Sequence, residues 1–154
     1  MVKLLARALV VYYSKFGNTE KIAKALAAGL QSGGIDTDTA KVSDVKYDEL
    51  EEIDLLCVGT PVHAWSISKP AKEFLERLKG LEGLSGKKAF AFDTKFKSRM
   101  AGSAGGKVEK KLKSLGFTIA KSAESAIVLG QEGPLEEGAE DAFRQIGAEL
   151  AGMM

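Results

Sequence analysis

Short apolar runs alternate with helix-period stretches along the whole chain, and this alternation narrows the fold more than any other feature. Leu4 to Tyr13 is rich in Val, Leu and Tyr and reads as a buried strand. After Ser14 to Thr19 a helix runs to about Leu30. Ile22, Leu26 and Leu30 recur every four residues there, with Ala23 and Ala27 beside them, as one apolar stripe. Gly33 and Gly34 stop that helix. Ile35 to Val42 alternates Ile, Thr, Thr and Val with polar residues, the pattern of a half-exposed strand. Tyr47 to Glu52 reads as a short helical turn. Ile53 to Gly59 is nearly all apolar and reads as a central strand covered on both faces.

A loop from Thr60 to Lys69 is expected next. Pro70 then suits the first turn of a helix carrying Phe74, Leu75 and Leu78. Lys88 to Thr94 reads as the fourth strand, followed by a loop containing Gly and Ser and a helix with Val108, Leu112 and Leu115. Phe117 to Ala120 and Ala126 to Leu129 read as pieces of a fifth strand, and Ala139, Phe143, Ile146 and Leu150 line a last helix. Five βα units in a row call for an α/β fold, a parallel sheet covered by helices on both faces. Right-handed crossovers leave few topologies. The 154 residues show no repeat, linker or low-complexity segment, so one domain over 1–154 is expected. In such a sheet, ligands bind beyond the carboxyl ends of the strands, where the strand order reverses.

Composition adds limits. The formal net charge of +1 gives no ground for a nucleic-acid partner. Its distribution is uneven: Lys87 to Lys121 holds ten Lys or Arg against two acids, and Ser122 onward holds one Arg against seven acids. Two readings stand: solvated helix faces of opposite sign, or a basic rim beside a ligand or an acidic partner. The single cysteine, Cys57, excludes an internal disulfide and a thiolate cluster, and its mid-strand position reads as core. With one His and one Cys, metal chemistry has little support. The apolar start, Met1 to Val11, is interrupted by Arg7 and lacks a small-residue cleavage site. No apolar run reaches membrane-spanning length, so a cytoplasmic protein without membrane contact is expected.

The segment Tyr13-Ser14-Lys15-Phe16-Gly17-Asn18-Thr19 lies directly after a strand and directly before a helix. Helix N-terminal amides lack intrahelical acceptors and carry partial positive charge, so a phosphate fits there. Ser14 and Thr19 add hydroxyl donors, Asn18 adds an amide, and Gly17 lets the backbone come close. The three spaced glycines of a dinucleotide loop and the Gly-Lys-Ser/Thr ending of a nucleoside-triphosphate loop are both missing. A single phosphomonoester fits better than a pyrophosphate.

Val10 to Ser14 and Thr19 to Ala23 resemble the phosphate loop of the flavodoxin family, whose pattern is Ser/Thr-x-Thr-Gly-x-Thr. Ser14, Gly17 and Thr19 match it, and Phe16 stands where a Thr is usual. The resemblance spans nearly the whole chain, including Glu132-Gly133-Pro134-Leu135 before the last helix, and is to the short-chain form. It implies a three-layer α/β/α sandwich with a five-stranded parallel sheet of order 2-1-3-4-5, and flavin mononucleotide (FMN) as cofactor.

Gly59-Thr60-Pro61-Val62-His63-Ala64-Trp65-Ser66 resembles the family's second FMN loop. Trp65, the only Trp, is either a platform for the flavin ring or packed down on the following helix; with the alignment shifted by one, Ala64 is the ring neighbour. His63, the only His, is either a solvated side chain or a donor to the ring. The family's third loop corresponds to Asp93, Thr94, Lys95 and Phe96, continuing through Lys97, Ser98 and Arg99. It is commonly acidic with a Tyr over the outer ring face. Here there is no Tyr, Phe96 or a Lys or Arg stem is the substitute, and three cations replace the acids. Cations near the ring favour its anionic, fully reduced form, so a less reducing flavin is expected.

The resemblance implies an electron carrier between redox partner proteins; the basic surface suggests an acidic partner, and a monomeric or weakly dimeric state is expected. One alternative is a quinone or NAD(P)H oxidoreductase, with His63 or Arg99 as polar groups over the flavin. The other is a flavodoxin-like binding module without FMN.

Overall fold

The computed structural model describes residues 5–63, 66–97 and 103–154. Strand β1 (Arg7–Tyr12) leads to helix α1 (Asn18–Ser32), and β2 (Asp36–Lys41) follows. Two 3-10 turns, Val42–Asp44 and Tyr47–Glu52, lead to β3 (Leu55–His63) and the two-residue β4 (Ser66–Ile67). Then come α2 (Lys69–Leu78), β5 (Lys88–Phe96), α3 (Gly105–Ser114), β6 (Thr118–Ile119), β7 (Glu124–Val128) and α4 (Ala139–Ala151). β2, β1, β3 and β5 lie side by side and parallel, and β6 and β7 both pair with the far edge of β5. β6 meets Lys88 and Ala89, whereas β7 meets Phe92 to Phe96, so they are two pieces of one broken strand.

The expected order 2-1-3-4-5 therefore holds when strands are counted by βα unit, with seven strands by segment. The difference comes from the break between β6 and β7 and from β4. The expected loop from Thr60 is instead a continuation of β3. Thr60 and Pro61 stay in register with Asp93 and Thr94 of β5, and Val62 and His63 then pair antiparallel with Ile67 and Ser66. At the start, β1 begins at Arg7, and Leu5 is exposed.

The pleat divides the core in two. Ala8, Val10 and Tyr12 of β1 and Phe90 and Phe92 of β5 face α1 and α4. Val11, Ala89 and Ala91 face α2 and α3, where Phe74, Leu75, Leu78, Val108 and Leu112 meet them. The expected helix stripes are the buried ones, except that Leu115 and Ala139 are half-buried. Two glycines are required by contact. A Cβ on Gly59 would lie 2.2 Å from the Phe92 ring, and one on Gly147 would lie 2.3 Å from the Leu26 carbonyl oxygen, where α4 crosses α1. Cys57 is fully buried in β3, and burial pushes its thiol pKa up. Among the described residues, no helix is long and apolar enough to cross a membrane.

Candidate functional site

β1, β3, β5 and β7 end on one edge of the sheet, where the order reverses beside β1. A cleft of about 540 Å³ lies there, within the usual range for small-molecule sites. Ser14, Lys15, Phe16, Asn18 and Thr19 line it from the first loop, Pro61, Val62 and His63 from the second, and Thr94, Lys95 and Phe96 from the third. Thus eleven of the residues expected in the site share one cavity.

The first loop is shaped by its own backbone. Ser14 Oγ accepts the Gly17 amide hydrogen at 3.0 Å, leaving its own O–H available to donate. Gly17 has φ 92°, the left-handed region, where a side chain costs about 1–2 kcal/mol. No atom lies within 4 Å of the place a Cβ would occupy, so the approach to α1 is open. Gly17 is also the capping residue of α1 and has no side chain to give its first-turn amides. The acid in that first turn, Glu20, is engaged elsewhere, by Lys24 Nζ at 2.9 Å. The hydrogen bond from Lys24 holds its carboxyl below the usual carboxylate range. Thr19 Oγ1 lies 2.8 Å from Thr94 Oγ1, a buried hydroxyl pair tying the first loop to the third. Lys15 Nζ sits 5.3 Å from the centre of the Phe16 ring.

Two expected residues reach the cleft edge with their side chains turned the other way. Thr60 is fully buried; its Oγ1 lies 2.8 Å from Ser68 Oγ and accepts the Ser68 amide at 3.2 Å. Asp93 is also fully buried. Its Oδ2 accepts from the amides of Ala104 (2.8 Å) and Gly105 (2.7 Å) and from Ser103 Oγ (3.0 Å). Both face the α2 and α3 layer, as the pleat dictates for neighbours of Pro61 and Thr94. Ala64, Trp65, Ser98 and Arg99 lie outside the described residues.

His63 is exposed and meets the Tyr13 ring edge-on, centroids 6.1 Å apart. A fourth wall was not expected from the sequence: Val128 at the end of β7 and Gln131 beyond it. The chain folds back there, with the Leu129 amide donating to Pro134 O and the Glu136 amide to Ile127 O. Gly133, φ 107°, packs on Asn18: a Cβ there would lie 2.9 Å from Asn18 Oδ1. The only sequence signal for this wall is that it follows a parallel strand at the ligand edge.

Lys15 and Lys95 line the cleft, and no described carboxylate does. Phe16 and Phe96, 42% and 41% exposed, are among its lining residues. The arrangement suits an elongated ligand with an anionic end at α1 and a flat apolar body between the second, third and fourth walls.

The sequence model of the flavodoxin family matches residues 10–146. A flavodoxin of Clostridium beijerinckii is 36% identical over 54% of this chain and 60% of its own length. An NAD(P)H dehydrogenase (quinone) of Paraburkholderia phymatum is 33% identical over 57% of this chain and 56% of its own length. This chain therefore spans little more than half the length of these relatives. A solved flavodoxin from the domain Archaea superposes with a TM-score of 0.82 at 26% identity, covering 95% of this chain and 96% of that one.

Proposed function

Because this chain belongs to the flavodoxin family, we propose that its cleft holds one FMN and that the protein carries electrons between redox partner proteins. The observation that carries this reading is the open, uncapped start of α1 at the end of a cleft of cofactor size. The residues fit the group. The Ser14 hydroxyl, the first-turn amides and the Lys15 ammonium supply donors for a phosphate. Pro61, Val62 and Phe96 supply apolar surface for a ring, and His63 and Gln131 supply polar edges. Bound FMN supplies a ring that takes up and releases electrons. The chain's part is to hold the phosphate, to exclude water from the ring face and to set the charge beside it through Lys95. Thr60 and Asp93 support the second and third loops from behind.

The rim suggests the partner. Lys24, Lys111 and Lys121 pair with Glu20, Glu76 and Glu149. Lys15, Lys95 and Lys97 have no such pair among the described residues. Unpaired cations beside exposed Phe16 and Phe96 favour an acidic partner, and association should weaken as salt rises. The reading takes the protein as cytoplasmic and as a monomer or weak dimer; sedimentation at micromolar concentration tests the latter.

A second reading, a quinone reductase using NAD(P)H, follows the likeness to the Paraburkholderia NAD(P)H dehydrogenase (quinone). NAD(P)H oxidation by the pure, FMN-loaded protein would favour it over a carrier. The primary test is to add FMN, remove the excess and record the visible spectrum. Retained flavin bands with quenched fluorescence support the reading. A folded but colourless protein sinks it and returns the search to a binding module without FMN.

A further inference from the structure

Asp93 holds a position unlike any other acid described in the molecule. It has no exposed surface, and one oxygen carries all of its described contacts. Those three donors, Ser103 Oγ and the Ala104 and Gly105 amides, lie where α3 begins. Its other oxygen, Oδ1, is buried without a hydrogen-bond partner among the described residues. A buried carboxylate with an orphaned oxygen is a poor device for stability alone, since an Asn or Thr caps a helix without a buried charge. Gly105 fits the same design: a Cβ there would lie 3.3 Å from Asp93 Oδ2. The residue at the capping position, Ala104, has no polar side chain, so the long-range carboxylate replaces a local cap.

The next residue, Thr94, points to the opposite face and bonds Thr19 in the first loop. The end of β5 is thus fixed on both sides, to the first loop by Thr94 and to the start of α3 by Asp93. We propose that Asp93 is a positioning residue, which sets where α3 begins and thereby aligns the third wall of the cleft, Thr94 to Phe96, against the first loop. The proposal rests on the FMN reading for its functional consequence but not for its structural one. Asp93 acts through backbone amides and touches no ligand.

The experiment compares wild type, Asp93→Ala and Asp93→Asn by amide hydrogen exchange and by binding of FMN and of inorganic phosphate. In Asp93→Ala, the Ala104 and Gly105 amides are expected to exchange at least tenfold faster beyond any change shared by the core strand amides. FMN affinity is expected to fall at least tenfold, with inorganic phosphate binding changed less than twofold. Asp93→Asn keeps a carbonyl acceptor and is expected to recover most of both losses, which also covers failure of the Ala variant to fold. Unchanged exchange at Ala104 and Gly105 overturns the proposal. So does an equal loss of FMN and phosphate binding, because that reports general damage, and so does faster exchange with FMN affinity intact. Should wild type bind no FMN, the functional reading fails by itself, and the exchange contrast still decides whether Asp93 sets the start of α3.

Discussion

Two helices start at the same edge of the sheet, α1 after β1 and α3 after β5, and they satisfy their positive N-terminal ends in opposite ways. At α3 the chain supplies its own anion: the Asp93 carboxylate, wholly buried, takes the Ala104 and Gly105 amides. At α1 the capping residue is Gly17, with open space in front of it, and the nearby Glu20 is bound to Lys24 instead. The same electrostatics is thus closed off by a carboxylate at one helix and left open to the cleft at the other. Only the open one lies in the cleft wall. The lesson is that a helix N-terminus is free to take a ligand only where the chain withholds an anion of its own.

The comparison can be broken from either side. Removing the built-in anion has the largest expected effect. Asp93→Ala leaves the two buried amides of Ala104 and Gly105 without their acceptor, whereas the exposed Ser103 hydroxyl turns to water; with each amide worth about 1–3 kcal/mol when unsatisfied, about 3–4 kcal/mol of stability is lost. Urea unfolding measures it, and a loss below about 1 kcal/mol would show that α3 does not need this cap. Supplying an anion to the open helix comes next. Gly17→Asp brings left-handed strain of about 1–2 kcal/mol and a carboxylate where the phosphate sits, so FMN should bind roughly 100-fold more weakly. Fluorescence titration checks this, and unaltered affinity would place the phosphate elsewhere.

Charge at the ring end gives a smaller effect. A cation about 7 Å away at an effective dielectric near 20 contributes roughly 2 kcal/mol before screening. Since 100 mV corresponds to about 2.3 kcal/mol per electron, Lys95→Gln, which removes one charge, should lower the second one-electron potential by several tens of millivolts once screening is included. Potentiometry at two salt concentrations tests the sign and the screening. Phe16→Thr restores the hydroxyl usual in the family, and one added hydrogen bond of about 0.5–1.5 kcal/mol should tighten FMN by about two- to tenfold. Weaker binding would mean the Phe16 ring contributes more than the missing hydroxyl. The smallest effect concerns Glu20. Its folded pKa is lowered, first by the Lys24 hydrogen bond, so its contribution is present above the unfolded carboxylate pKa and fades as pH falls through the folded one. Glu20→Gln should therefore lower stability slightly at neutral pH, leave it unchanged below the folded pKa and flatten the acid unfolding profile between the two.

Most of the architecture was legible because burial writes itself into strand composition. Ile53 to Gly59 is almost all apolar, and that segment is the sheet's centre; Ile35 to Val42 alternates, and β2 is the edge. The two-residue β4 was not legible, being too short to leave a pattern. The extension of β3 past Gly59 was hidden for another reason, as it depends on how far its partner β5 runs. In the site, the first loop was readable because strand, glycine and helix follow one another directly. Asp93 and Thr60 show where that reading stops. They sit in the right motifs, but side chains of a strand alternate, and the residues themselves do not say which face carries the cleft. Phe90 and Phe92 set against Ala89 and Ala91 reveal the parity of β5, yet only the packed helices give it a direction. Val128 and Gln131 were missed because nothing in their type marks them; the fold alone brings them to the cleft.

The open start of α1 as a phosphate seat is tested most directly by titrating the apoprotein with FMN and, separately, with riboflavin, which has the same ring and no phosphate. The predicted result is FMN bound at least about 100-fold more tightly, a difference of about 2.7 kcal/mol, with Gly17→Asp abolishing the difference. Equal affinity for the two flavins would contradict it, because the seat at α1 would then contribute nothing to binding.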